Sequence, residues 1–104
     1  MPRLAFRLKL HPGQAAEYQR RHDALWPELK RLLKETGISD YSIFLDPETN
    51  LLFGVMNVLD SQKLDDLPSH PVMKKWWAYM GDIMQSNADG SPVVEALPCM
   101  FHMD

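Results

Sequence analysis

Tyr18, His22 and Trp26 stand four residues apart. On a helix that spacing lines them up along one stripe. An imidazole both gives and takes a proton near neutrality, its unperturbed pKa being about 6.5. A histidine flanked by tyrosine and tryptophan could therefore move protons on a hydroxyl-bearing substrate. The stripe runs on into Leu29 and Leu33, so it faces inward. Tyr and His, where more leucine would pack better, suggest a polar hole in the core. The competing reading is a tyrosine and a histidine at a frayed helix end, satisfied by water. Further along stand Trp76-Trp77 and Tyr79. Adjacent tryptophans on a helix point in different directions, so both rarely bury completely in a small core. They could form an aromatic platform, because the C–H face of a sugar ring packs on a flat π surface. They could equally fill the core with Val72, Met80 and Ile83. Tyr41 shares a strand face with Ile43 and either reaches a pocket with its hydroxyl or simply packs.

Other titratable residues carry less. His11 lies at a Pro-Gly turn, His70 precedes a proline and His102 lies near the C-terminus. None has metal-ligand spacing, and structural or surface roles are expected for all three. Asp23, Glu28 and Asp82 are candidate second acids, read otherwise as solvated helix charges. Cys99, the single cysteine, cannot form an internal disulfide and is expected to be a small buried hydrophobe. A lone cysteine fits a reducing compartment. There is no glycine-rich phosphate loop or nucleophile elbow. With 11 basic and 14 acidic residues interleaved, no basic stripe offers itself to nucleic acid. The N-terminus alternates and carries charge, unlike a signal peptide, and no apolar run is long enough to span a membrane. A cytoplasmic protein is expected.

The elements that must position these residues follow from periodicity. At 104 residues, 45% of them hydrophobic, the chain is expected to form a single domain over residues 1–104. Leu4, Phe6, Leu8 and Leu10 alternate with Ala5, Arg7 and Lys9, as in a half-buried strand. Gln14 to Thr36 reads as helical, with Pro27 forcing a kink near Asp23 or a break there. Asp40 to Leu45 and Leu51 to Leu59 read as two strands of an antiparallel hairpin, the second apolar on both faces and so central. Ser61 to Leu67 suits a short helix with Ser61 as N-cap. A further helix is expected from Pro71 towards Met84, then a loop over Asn87 to Pro92. A last strand falls within Val93 to Met103, where Pro98 confines part of it to an edge or an exchanged position. The order β-α-β-β-α-β is the ferredoxin-like arrangement, an α+β fold with an antiparallel sheet and helices on one face. The open sheet face needs a cover, and a second subunit could supply it.

Taken together, these segments resemble the L-rhamnose mutarotase family over nearly the whole chain. The resemblance is carried by Glu17-Tyr18-Gln19-Arg20-Arg21-His22, Leu25-Trp26-Pro27-Glu28-Leu29, Tyr41 to Asp46, Asn50-Leu51-Leu52-Phe53, Trp76-Trp77-Ala78-Tyr79-Met80 with Asp82 and Met84, and the loop Asn87 to Pro92. It implies a ferredoxin-like fold of the dimeric α/β barrel type, a homodimer formed through the sheets, no metal and no organic cofactor. It also implies interconversion of the α and β anomers of the monosaccharide L-rhamnose. The family's proton donor falls on His22, and its sugar contacts fall on Tyr18, Tyr41, Trp76 and Trp77. The stretch from Leu97 to Asp104 departs most from the family pattern. Gly54 sits in a strand where a bulkier residue is expected to pack better. Both departures are expected to lie away from the site. The architecture alone also suits small ferredoxin-like monooxygenases without a cofactor, or a non-catalytic sugar-binding dimer.

Overall fold

A computed structural model describes residues 3–104. Met1 and Pro2, the start of the alternating N-terminus, lie outside the described residues. The chain runs β1 (Arg3–Lys9), α1 (Ala15–Asp23), α2 (Pro27–Glu35), β2 (Ile38–Asp46), β3 (Leu51–Val58), α3 (Ser61–Asp66), a 3-10 turn (Leu67–Ser69), α4 (Pro71–Met80) and β4 (Glu95–Leu97). The four strands form one sheet in the order β2-β3-β1-β4, every pair antiparallel. The helices pack on one face of it, giving the ferredoxin-like α+β fold.

Alternation sets the faces. Leu8 and Leu10 of the first strand segment and Leu52, Met56 and Val58 of β3 are buried beneath the helices. Leu29 from α2 and Met73, Trp76 and Met80 from α4 meet them. β3 lies between β2 and β1, in keeping with its apolar character on both faces.

The long helical segment breaks rather than kinks. α1 ends at Asp23 and Pro27 opens α2 at its first position, where its missing N–H is no loss. The break swings Trp26 out of the helical path, with φ −58° and ψ 130°.

Three boundaries differ from the sequence expectation. Asp60, not Ser61, caps α3, its carboxylate accepting from the Gln62 N–H at 2.9 Å. α4 stops at Met80 with Gly81 as its C-cap, short of Met84. Beyond it the chain turns to pair with the end of β1: His11 N–H donates to the Ile83 carbonyl and Gln85 N–H to the Lys9 carbonyl, both at 2.9 Å. That pairing buries Ile83 and Met84 and outcompetes further helix. The last strand is only three residues long, ends before Pro98 and pairs with Ala5–Arg7 at the sheet edge. Cys99 is exposed, contrary to the buried position expected of it.

β2 contains a bulge. Ser39 pairs with Asn57 and Ser42 with Val55, so Asp40 and Tyr41 together oppose Met56. Asp40 takes a positive φ of 48°. Ile38 and Tyr41 are three residues apart, so strict alternation would put them on opposite faces. The extra residue lets both face the helices: Ile38 is buried with Val58, and Tyr41 meets Phe6.

Gly54 has a reason that the sequence alone did not show. It lies opposite Phe6 across the β1–β3 pair. A Cβ at Gly54 would fall 2.4 Å from the Phe6 ring, so only glycine lets the ring lie flat across β3. The Phe6 ring in turn meets Tyr41 edge-on, with centroids 6.0 Å apart. Gly54 therefore helps to place a candidate site residue instead of lying away from the site.

Candidate active site

The last turn of α1 brings His22 against the C-terminal half of α4. The imidazole stacks on the Tyr18 ring, with centroids 4.2 Å apart and planes 27° apart. It also meets Trp76 edge to face, at 5.4 Å and 88°. Trp76 carries the pattern on: it meets Trp26 edge-on at 5.1 Å and Tyr79 at 5.7 Å. Trp26 and Tyr79 stack on each other at 5.6 Å. Five aromatic rings from α1, the α1–α2 break and α4 thus form one contiguous cluster.

Hydrogen bonding fixes the imidazole. Its Nδ1 lies 3.0 Å from the Tyr18 carbonyl. A carbonyl only accepts, so Nδ1 carries the proton and the neutral ring presents an acceptor at Nε2. Among the described residues Nε2 has no hydrogen-bond partner, and no side-chain nitrogen or oxygen is fully buried without one. Nε2 therefore reaches the solvent. Burial pushes the His22 pKa below 6.5; the Tyr18 carbonyl and Asp23 oppose the shift without cancelling it.

The tyrosine hydroxyls titrate far from neutrality. Burial raises the Tyr18 phenol well above its ordinary value, and repulsion from a neighbouring Tyr41 phenolate adds to the effect. Tyr41 keeps 39% of its surface exposed, yet its hydroxyl is desolvated enough to be pushed up to about 12. Both are neutral donor-acceptors near pH 7.

The structure links Tyr18, His22 and Trp76 through successive ring contacts, while Tyr41 meets Phe6 of β1. It keeps Trp77 apart. Trp76 is 6% exposed, whereas Trp77 is half-buried against the core and makes no ring-to-ring contact among the described residues. Asp82 is no free acid. Its carboxylate binds the Arg21 guanidinium at 2.9 and 3.2 Å, which holds its pKa below the usual carboxylate range. His70 caps α4 through Nδ1, which accepts from the Val72 N–H at 3.2 Å. His102 bonds Arg3 and Asp104 near the C-terminus.

Two surface depressions lie outside the His22 contacts. One of about 260 Å³ sits over the β1–β4 edge and contains the Arg7–Glu95 ion pair. The other, of about 230 Å³, is lined by Trp26, Glu28, Val72 and Lys75 and adjoins the cluster through Trp26. Neither is lined by a histidine. The half-buried imidazole with one accessible nitrogen is the better-founded reactive centre.

Sequence reasoning placed Trp26 on the stripe but did not count it, or Tyr79, among the site residues. The signal for Trp26 was its four-residue spacing from His22, followed by the helix-breaking Pro27.

The profile of L-rhamnose mutarotases matches residues 3–103. An L-rhamnose mutarotase of Rhizobium meliloti is 60% identical over 99% of both chains. The crystal structure of an L-rhamnose mutarotase from Formosa agariphila covers both chains completely, with a TM-score of 0.94 at 51% identity. A dimeric ferredoxin-like protein of unknown function from Jannaschia sp. shares the fold alone: TM-score 0.59 at 19% identity, over 94% of this chain and all of that one. With the match running from β1 through the aromatic cluster to the C-terminal tail, the chain belongs to the L-rhamnose mutarotase family.

Proposed function

We propose that this protein is an isomerase that interconverts the α and β pyranose anomers of L-rhamnose, with His22 as the acid/base residue. The observation that supports it most is His22 itself. Its imidazole contacts both Tyr18 and Trp76, with Nδ1 held by a carbonyl and Nε2 free to accept a proton. Membership of a family named for this activity supplies the substrate.

Anomer exchange requires the hemiacetal to open, the aldehyde to rotate and the ring to close. Neutral Nε2 takes the proton from the anomeric hydroxyl. The freed electron pair forms the carbonyl as the bond from the anomeric carbon to the ring oxygen breaks. The ring oxygen then takes a proton from the imidazolium, which restores neutral His22. Closure on the opposite face runs the same steps backwards, so no net proton is gained or lost. A lowered pKa keeps the base neutral at pH 7 and makes its imidazolium a ready donor. Tyr18 and Tyr41 offer neutral hydroxyls for the sugar's own. Half-buried Trp77 offers apolar surface to its C–H face and to the methyl group of a 6-deoxy sugar, and Trp76, 6% exposed, backs the imidazole from within the cluster.

The working unit is proposed to be a homodimer formed through the open sheet face. Phe44, 61% exposed on β2, stands there beside half-buried Phe53 and Val55 of β3, and a second copy would cover them. The described residues contain no helix long and apolar enough to cross a membrane. With one free, exposed cysteine, the protein is proposed to act in the cytoplasm. The chemistry as written uses neither a metal nor an organic cofactor.

The test is anomer exchange in equilibrated L-rhamnose, followed by NMR saturation transfer, with L-fucose as the comparison sugar. Wild-type protein accelerates exchange of rhamnose, and His22→Ala loses roughly 10²–10⁴-fold of that acceleration. A folded His22→Ala protein with the full rate would remove His22 from the chemistry.

A further inference from the structure

Arg21, the residue before His22, is 8% exposed, unusually deep for an arginine. Its donors are spent on two elements. Nε donates to Glu17 on α1 at 2.7 Å. Nη1 donates to the Tyr79 carbonyl at 2.8 Å and to Asp82 at 2.9 Å, and Nη2 reaches the second Asp82 oxygen at 3.2 Å. The guanidinium also lies over the Tyr79 ring, 4.4 Å from its centroid, within cation–π range.

The Tyr79 carbonyl is in the last turn of α4, where carbonyls lack intrahelical partners. Ile83 N–H, four residues on, turns to Met80 instead. Arg21 thus caps α4 from a neighbouring helix and places a positive charge where the helix dipole favours one. Tyr79, held on both its carbonyl and its ring, stacks on Trp26 and meets Trp76, and Trp76 meets His22.

We propose that Arg21 is a positioning residue for the reaction: by clamping the C-terminal end of α4 to α1 it sets the edge-to-face placement of Trp76 against His22. The inference rests on the mutarotase reading for its activity readout, and on geometry alone for its spectroscopic one. Only arginine fits the role. Lysine keeps the charge but cannot hold a carboxylate through two nitrogens, bond a carbonyl and lie flat over a ring at once.

The test compares Arg21→Lys, Arg21→Met and Asp82→Asn in the full-length protein. Asp82→Asn weakens the clamp at an exposed carboxylate while leaving Glu17 and the Tyr79 carbonyl on Arg21, so it serves where the arginine variants fail to fold. Three quantities are read: kcat and KM for rhamnose anomer exchange, the near-ultraviolet circular dichroism of the tryptophan cluster, and the NMR titration of the His22 ring proton. His22 is faced by Tyr18 and Asp23 of its own helix and by Trp76 of α4, so a loosened Trp76 registers in its titration. Arg21→Lys is expected to lower kcat by ~10-fold with KM within about twofold, since small misplacements of reacting groups are costly. The aromatic dichroism should weaken and the His22 midpoint should rise towards 6.5. Asp82→Asn should shift all three in the same direction by less. Variants that melt earlier but keep the wild-type kcat, dichroism and His22 midpoint would overturn the proposal and leave Arg21 a structural residue. If the wild-type protein accelerates no exchange, the mutarotase reading fails, and the dichroism and titration still decide the clamp.

Discussion

His22 is held by Tyr18 twice: its imidazole stacks on the Tyr18 ring at 4.2 Å, and its Nδ1 donates to the Tyr18 carbonyl at 3.0 Å. The backbone contact selects the tautomer and the ring contact selects the plane. One turn of helix thereby fixes both where Nε2 points and that it accepts a proton.

That environment sets a pH dependence. Burial disfavours the imidazolium, so the folded pKa lies below 6.5. Exchange activity should fall as pH drops through this lowered value, with little change above 6.5. Stability follows the same sign. Between 6.5 and the folded value the unfolded chain binds a proton that the native one does not. The contribution of His22 is present above 6.5 and lost as pH falls through the folded pKa. An NMR titration of the ring proton, with urea melts of wild type and His22→Gln at several pH values, checks both. A midpoint at or above 6.5 contradicts the prediction.

Tyr18→Phe separates ring from hydroxyl. The variant keeps the stack and the backbone carbonyl, so His22 should retain its tautomer and titration. Losing a hydroxyl that bonds sugar should raise KM about 2- to 10-fold, the worth of one hydrogen bond, with kcat changed far less. Steady-state anomer exchange over a range of rhamnose concentrations distinguishes the two. An unchanged KM would assign the hydroxyl to packing.

Gly54→Ala should destabilise the protein by about 1–3 kcal/mol, the usual penalty for overpacking. The added methyl meets the Phe6 ring at 2.4 Å. Phe6→Leu in the Gly54→Ala background should recover part of that loss, which a urea-denaturation double-mutant cycle would show as coupling. Purely additive effects would mean that the ring and the glycine are not matched.

The two tryptophans should separate by experiment as they do in space. Trp76→Ala empties the centre of the ring cluster and should reduce stability by about 3–5 kcal/mol. Trp77→Ala, at a half-buried position outside the cluster, should reduce it by less than half as much while still raising KM if the ring contacts sugar. Denaturant midpoints and KM for rhamnose, measured on both, decide the assignment.

Much of this was legible from spacing. Alternation gave β1 and the hairpin, and Pro27 marked the helix break. Four-residue spacing put Tyr18 and His22 together on α1; Trp26, expected on the same helical stripe, lies outside α1 and joins the cluster through Trp76 instead, because Pro27 breaks the helix. What local pattern could not show depends on tertiary approach. Arg21 follows another arginine and lies four residues after Glu17, which reads as an ordinary solvated pair; only the arrival of the α4 C-terminus buries it. Likewise, nothing local tells which of two adjacent tryptophans turns inward. Gly54 reads as a weak point until Phe6 from β1 is laid across it. The end of α4 was overrun because Ile83 and Met84 continue the apolar pattern, although they are buried through pairing with β1.

The bulge at Asp40-Tyr41 has a consequence for the protein's life in a crowded solution. β2 is the long outer strand of the sheet, and a regular, flat outer strand invites addition of a strand from another chain, the first step of aggregation. Two residues opposing one, with an aspartate in left-handed conformation at the irregularity, interrupt the repeat that an added strand would have to match. The same distortion that turns a tyrosine towards the helices therefore guards the exposed border of the sheet against growth.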